Sequence, residues 1–266
     1  MHRLLSALWM LTVLTGCSTT DGTVTSHQES TVIRAATYNI KHGRGMDGAI
    51  DLERTADVLR ALDADIIALQ EVDDRARRSG GVDQASWLAE RLNMHSAYGV
   101  FMEFQGGRYG LAILSKAPIL SHASWRLPDG NEPRVALAAC IRTDQGEEIT
   151  AVAVHFDWVE NDTFRFEQAR ETIVRMESVE TPWIAFGDFN DVPGSRTIQA
   201  FERVGDNASK PSGNAATFPS DRPEIEIDFI FSGPSGRWRP AVAEVIPETV
   251  GSDHRPVITE LHLIGE

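Results

Sequence analysis

Two cysteines among 266 residues are too few for a disulfide framework. One of them, Cys140, lies in Val135-Ala136-Leu137-Ala138-Ala139-Cys140-Ile141, a run that predicts a buried strand with the thiol as a small hydrophobe rather than a nucleophile. Basic residues are also scarce. Acids outnumber bases 39 to 25, the formal charge is −14 and the pI is near 5.0. No basic cluster exceeds Arg75, Arg77 and Arg78, which reads as a solvated loop. Duplex nucleic acid is bound mainly through lysine and arginine set against phosphates, so this charge balance disfavours it as a partner. The motifs HExxH, CxxC and GxSxG are absent, which argues against a two-zinc hydrolase and a serine hydrolase. Past the N-terminal leader there is no repeat and no apolar stretch long enough to cross a bilayer.

What is present begins with that leader. Met1-His2-Arg3 is weakly basic and Leu4 to Leu14 is mostly apolar, a length that suits a secretory signal and not a span. Leu14-Thr15-Gly16-Cys17 follows and resembles the bacterial lipobox. The resemblance implies cleavage before Cys17, lipidation of that residue, and a membrane partner reached through the anchor. Ser18 stands where an aspartate would mark inner-membrane retention, so an outer-membrane anchor facing the periplasm is expected. Residues 1–17 are thus read as signal peptide and residues 18–30, rich in Ser and Thr, as a flexible tether. Residues 31–266 show no comparable break, and about 235 residues fit one domain that buries roughly 70–75% of its unfolded surface. A monomer is expected.

Hydrophobic periodicity sketches the domain. Thr31 to Tyr38, Asp65 to Leu69, Tyr98 to Phe104, Tyr109 to Leu114, Val135 to Ile141, Ile149 to Val154, Trp183 to Phe186, Ile225 to Phe231 and Val257 to Leu263 read as strands. Leu52 to Leu62 behind Asp51, Gln84 to Leu92 and Thr163 to Glu177 read as helices. Lys41 to Gly48, with three glycines, reads as a loop. Regular βαβ alternation stops after residue 95, which argues against a doubly wound sheet. The expected class is α+β: a four-layer α/β sandwich of two packed, mostly antiparallel mixed sheets flanked by helices.

Several apolar runs stop at polar residues. Leu69-Gln70 reaches Glu71, Val152-Ala153-Val154 reaches His155, and Ile225-Glu226-Ile227 reaches Asp228. Gly187-Asp188-Phe189-Asn190 and Gly251-Ser252-Asp253-His254-Arg255-Pro256 add further carboxylates, an amide and an imidazole. Neither string packs a core. Strand ends that deliver polar groups are how a sheet presents a rigid site, and this mixture suits a divalent metal holding a phosphate ester while water attacks it.

Position by position, these strings resemble the endonuclease/exonuclease/phosphatase superfamily, the fold shared with pancreatic deoxyribonuclease. The likeness runs from Thr37-Tyr38-Asn39 through Leu69-Gln70-Glu71-Val72, Tyr109-Gly110-Leu111-Ala112-Ile113-Leu114-Ser115 and His155-Phe156-Asp157 to the Asp188, Asp228 and His254 strings. It implies Mg²⁺, with Mn²⁺ as a substitute, held by Glu71 with Asn39 and Asp253. It implies Asp188 as the group that deprotonates water, Asn190 beside it, His254 oriented by Asp228 against the phosphate, and His155 as a second catalytic histidine. Some nuclease members carry an acid near residues 105–109 to pair that second histidine, and this chain has none there. Tyr109 and Arg134 are candidates for substrate binding, although Arg134 and Arg165 also read as surface ion-pair residues. Trp158 reads equally as a wall of the substrate site or a core side chain.

The expected activity is therefore hydrolysis of a phosphodiester or phosphomonoester by metal-assisted in-line attack of water, on a small or lipid-derived substrate. An envelope-anchored endo- or exonuclease is the alternative, and a silent binding module of the same fold is the reading from outside catalysis.

Overall fold

The computed structural model describes residues 31–265. The signal peptide, Cys17 and the tether expected over residues 1–30 lie outside the described residues. In chain order the elements are β1 (Val32–Asn39), α1 (Leu52–Leu62), β2 (Ile66–Asp74), α2 (Gln84–Leu92), β3 (His95–Phe104) and β4 (Gly107–Ser115). Then come β5 (Ile119–Arg126), β6 (Val135–Arg142), β7 (Glu148–His155), α3 (Thr163–Glu177), β8 (Trp183–Asp188) and α4 (Arg196–Glu202). The short β9 (Asp206–Asn207) and β11 (Ala243–Val245) flank β10 (Asp228–Gly233), and β12 (Val257–His262) ends the series.

Two six-stranded sheets result, with orders β11-β12-β1-β2-β4-β3 and β5-β6-β7-β8-β10-β9. Each carries one parallel pair, β1 with β2 and β7 with β8, and its other rungs are antiparallel. A parallel pair needs a crossover, here α1 in one sheet and α3 in the other. The strands of both pairs are apolar on both faces because both faces are covered. In β1, Ile33 and Ala35 point into the space between the sheets, while Ala36 and Tyr38 pack with Leu59 of α1 and Leu88 of α2. In β8, Ile184 and Phe186 face the opposite sheet, while Trp183 and Ala185 pack with Met176 of α3 and Phe201 of α4. Helix, sheet, sheet, helix is the four-layer sandwich expected from sequence.

Differences from the sequence reading fall where apolar periodicity is weak. The strand β5 has mostly exposed side chains and lies at a sheet edge, so it lacks the alternation that marks a half-buried strand. The helix α4 is a seven-residue element started by the Ser195 side chain, which accepts from the Ile198 amide. The strand expected from Ile225 starts at Asp228, because Ile225 is instead bridged to Phe218. Cys140 is half-buried rather than enclosed, with its thiol 3.9 Å from a Glu148 carboxylate oxygen.

Candidate active site

The carboxyl ends of β1, β7 and β8 meet the amino end of β10, the loop before β12 and the interior of β2, where Glu71 lies inside the strand rather than at its end. The register is direct: Asn39 pairs with Gln70, His155 with Asp188, and Asp188 with Asp228. Three of these residues are followed by phenylalanine, and the strand pleat sends that ring to the opposite side. Phe156, Phe189 and Phe229 are all fully buried. Phe189 meets Phe156 at 5.4 Å, Phe229 at 5.5 Å and Phe201 at 5.0 Å, with interplanar angles near edge-to-face. The polar cluster thus stands on a packed aromatic layer. Gly187 makes the mounting possible, because a Cβ there would lie 2.0 Å from the Val154 carbonyl oxygen of the neighbouring strand.

Glu71 is presented by a break in its own strand. The β2–β4 register shifts between Leu69 and Val72, and Glu71 itself takes a left-handed φ of 57°. A bulge re-aims a side chain at a local cost, and a non-glycine residue in this region costs about 1–3 kcal/mol. The result is a half-buried carboxylate between two buried neighbours, Gln70 and Val72. Its Oε1 accepts from Asn39 Nδ2 at 3.3 Å, and the same amide nitrogen donates to Asp188 Oδ2 at 3.1 Å. Burial raises the Glu71 carboxyl above its ordinary range.

Asp188 is the hub. Its Oδ1 accepts from the Asn190 amide at 2.9 Å, which makes the turn into the following loop. Its Oδ2 faces the Asn39 amide, His155 Nε2 at 3.5 Å and His254 Nε2 at 3.6 Å. Asp188 therefore caps a turn with one oxygen and turns the other towards the cleft. Desolvation, opposed by the His254 charge, pushes its carboxyl up to about 7. On its far side His254 Nδ1 lies 2.9 Å from Asp228 Oδ2. Burial disfavours the imidazolium, but Asp228 and then Asp188 outweigh it and raise His254 to about 10. The carboxylate next to it in sequence, Asp253, turns away to Lys41 Nζ at 2.6 Å. The loop is pinned by Ser252, whose hydroxyl donates to the Asn39 carbonyl at 2.7 Å.

His155 has the opposite environment. Burial, then Arg134 and His254, push its imidazole well below the usual histidine range. Arg134 Nη1 lies 3.4 Å from His155 Nδ1, and Arg134 Nη2 lies 3.1 Å from Glu132 Oε2. The guanidinium packs over the Phe101 ring at 4.8 Å. Arg134 is 1% exposed, so the surface ion-pair reading of this residue is corrected: it is a buried wall of the site. Arg165 is also buried, paired with Asp191 at 3.1 Å, and takes no part in the cleft.

The cleft above these groups has a volume of about 370 Å³, and Tyr109, Arg134, Asn190 and Trp158 are among its walls. Trp158 is 58% exposed, which settles it as a wall and not a core residue. Tyr109 is buried except at this wall, and burial raises its phenol. Asn190 sits at a φ of 50° and its Nδ2 donates to the Phe156 carbonyl at 3.0 Å.

Sequence reasoning missed Lys41, His42, Arg78 and Glu132. Arg78 reads from sequence as part of a solvated loop, yet it holds Asp73 at 2.8 Å and covers the Phe104 ring at 4.5 Å on the cleft wall. Lys41, His42 and Gly43 all have positive φ, which curls the loop back onto the site. His42 Nδ1 stands 4.0 Å from Glu71 Oε2, and burial, then Arg78, lowers that imidazole to about 4. The three-glycine composition of residues 41–48 signals a tight loop but not where its cations go.

Among the described residues, Asp188, Asp228 and His254 offer ligand atoms within 4.8 Å of one another. His254 joins the two carboxylates, Nδ1 to Asp228 Oδ2 at 2.9 Å and Nε2 towards Asp188 Oδ2 at 3.6 Å, so the trio is paired within itself. The donor set that fits a hard divalent ion is the oxygen-rich one at Glu71, with Asn39 beside it and Asp253 on the same cleft.

A model of the Endonuclease/Exonuclease/phosphatase family matches residues 36–254. The chain is 25% identical over 245 residues to YbhP of Escherichia coli (strain K12), covering 86% of this chain and 96% of that protein. Its fold is similar to that of the endonuclease/exonuclease/phosphatase from Beutenbergia cavernae DSM 12333, with TM-score 0.72 and 23% identity over 88% of this chain and 72% of that one. It is also similar to the mannosyl-6-phosphatase Bt3783 of Bacteroides thetaiotaomicron VPI-5482, with TM-score 0.69 and 21% identity over 86% of this chain and 99% of that one.

Proposed function

The chain belongs to the endonuclease/exonuclease/phosphatase family, and from that premise we propose that it is a Mg²⁺-dependent phosphoesterase acting on small or lipid-derived phosphate esters. The observation that carries this reading is the shared Oδ2 of Asp188, met by the Asn39 amide and by both imidazoles at the floor of an open cleft. Asp188 takes the proton of the attacking water, with Asn39 and the Asn190 amide holding its carboxylate in place. His254, kept charged by Asp228, offers a cationic donor to the charge that develops on the phosphoryl oxygens. Glu71 with Asn39 and Asp253 would hold the cation, Mn²⁺ serving in place of Mg²⁺. When bound, that ion supplies Lewis-acid polarisation of the phosphate.

Charge supports a small substrate. The cations at the cleft are already paired: Lys41 with Asp253, Arg78 with Asp73 and Arg134 with Glu132. Few are left to replace the counterions of a polyanion, and the whole chain is acidic. The fold likeness to a mannosyl-6-phosphatase is in keeping with a small ester. Anchoring through Cys17, at the outer membrane facing the periplasm, belongs to the same proposal and places a monomeric enzyme beside head groups and periplasmic esters.

The deciding experiment is a panel of phosphomonoesters, phosphodiesters, phospholipids and plasmid DNA, assayed with Mg²⁺, with Mn²⁺ and in chelator. Turnover of small esters that is lost in chelator is expected. Full activity in chelator overturns the metal, and a higher kcat/KM on plasmid that persists as salt rises overturns the substrate class. Labelled fatty acid should enter the wild-type chain in a bacterial host and not Cys17→Ser; absence of label from both overturns the anchor.

A further inference from the structure

His155 and His254 flank the same Asp188 oxygen at nearly equal distances, yet their outer nitrogens meet groups of opposite charge. His254 Nδ1 meets the Asp228 carboxylate at 2.9 Å, whereas His155 Nδ1 meets the Arg134 guanidinium at 3.4 Å. A guanidinium has only donors and keeps its charge at any ordinary pH. The nitrogen facing it must therefore accept, which leaves the imidazole proton for Nε2. A second proton on the ring would set two cations within hydrogen-bond distance in a buried place.

We propose that Arg134 is a positioning residue that fixes His155 as a neutral imidazole with its proton on Nε2, so that His155 serves the substrate as a hydrogen-bond donor and does not protonate the leaving group. The groups around the ring agree. Arg134 is held from behind by Glu132, which anchors the guanidinium rather than reaching His155. On the Nε2 side stands Asp188, and beyond it the charged His254. Phe101 of β3 approaches the ring at 6.2 Å and carries no charge. The residues Gln105-Gly106-Gly107-Arg108 supply no acid, and Arg108 is committed to Asp74. The two histidines are thus unlike in role: one charged, one neutral, set by a carboxylate in one case and a guanidinium in the other.

The inference rests on the phosphoesterase reading for its catalytic meaning only, because the proton's position is read without turnover. The full chain labelled with ¹⁵N-histidine is followed by long-range proton–nitrogen correlation from pH 5 to 8, the range in which an ordinary histidine titrates. The His155 signal is assigned by its loss from the spectrum of His155→Gln. The expected result is a non-protonated Nδ1, a protonated Nε2 and no titration of His155 over this range. Arg134→Lys, which keeps a cationic donor, should preserve that pattern. Arg134→Gln, which can accept as well as donate, releases the tautomer, so part of the His155 proton should move to Nδ1 while burial still keeps the ring neutral. A wild-type His155 that carries its proton on Nδ1, or that becomes doubly protonated between pH 5 and 8, overturns the proposal. So does an Arg134→Gln spectrum identical to wild type. If Arg134→Gln fails to fold, the wild-type and Arg134→Lys spectra decide alone.

Discussion

Asp188 and Asp228 face each other across one antiparallel rung of β8 and β10, and both reach the imidazole of His254. Two carboxylates placed this close resist ionising together unless a cation lies between them. His254 is that cation. Its Nδ1 is taken by Asp228 and its Nε2 points at Asp188, so the imidazolium and the Asp188 carboxylate depend on one another. This coupling governs how the site responds to pH.

Asp188→Asn preserves shape and removes the proton acceptor. Turnover is expected to fall by roughly 10²–10⁴, with the unfolding midpoint near that of wild type. Steady-state rates alongside circular dichroism check both halves. A variant within a few-fold of wild type would show that another group takes the proton.

The pH profile of kcat/KM should be bell-shaped. Asp188 must lose its proton, so activity rises with pH through about 7, an upper bound for this limb because a cation nearby draws it lower. His254 must keep its proton, so activity falls as pH rises through about 10. Asp228→Asn removes the leading cause that raises His254, while burial still disfavours its charge. The basic limb should therefore move to lower pH and the bell should narrow. An unchanged basic limb in Asp228→Asn would assign it to a different group.

Glu71→Gln keeps an oxygen donor and removes the charge at the bulge. Metal affinity should drop by one to two orders of magnitude, roughly the scale seen when a ligand's support is altered. Excess Mg²⁺ should restore part of the rate. Isothermal titration with Mn²⁺ reads the affinity directly, and equal affinities in the two proteins would remove Glu71 from the metal site.

Phe189→Ala deletes the ring that joins Phe156, Phe201 and Phe229 under the site. The expected loss is about 3–5 kcal/mol, the usual cost of emptying a buried aromatic position. Urea unfolding followed by tryptophan fluorescence measures it. A loss below about 1 kcal/mol would mean that the aromatic layer is not what supports Asp188.

The motifs were legible because each combines a strand period with an abrupt polar ending. Val154-His155, Gly187-Asp188 and Ile227-Asp228 announce both an element and what it carries. Edge strand β5 and the short α4 were not legible, since exposed or brief elements leave little hydrophobic pattern.

The sequence by itself determined the layers and the polar groups at the strand ends, because burial periodicity and strand-end chemistry are local properties of the chain; the loop-borne Lys41, His42, Arg78 and Glu132 carry no such signal. Only the tertiary structure decided the partners. Asn39 reaches Asp188 across 149 positions, Lys41 reaches Asp253 across 212, and Arg134 stands against the outer nitrogen of His155. Those pairings follow from strand register and from a left-handed kink at Glu71, and both arise from packing between distant segments. Charge state follows the setting: burial disfavours the cation at both histidines, and Asp228 overcomes it at position 254 whereas Arg134 adds to it at position 155.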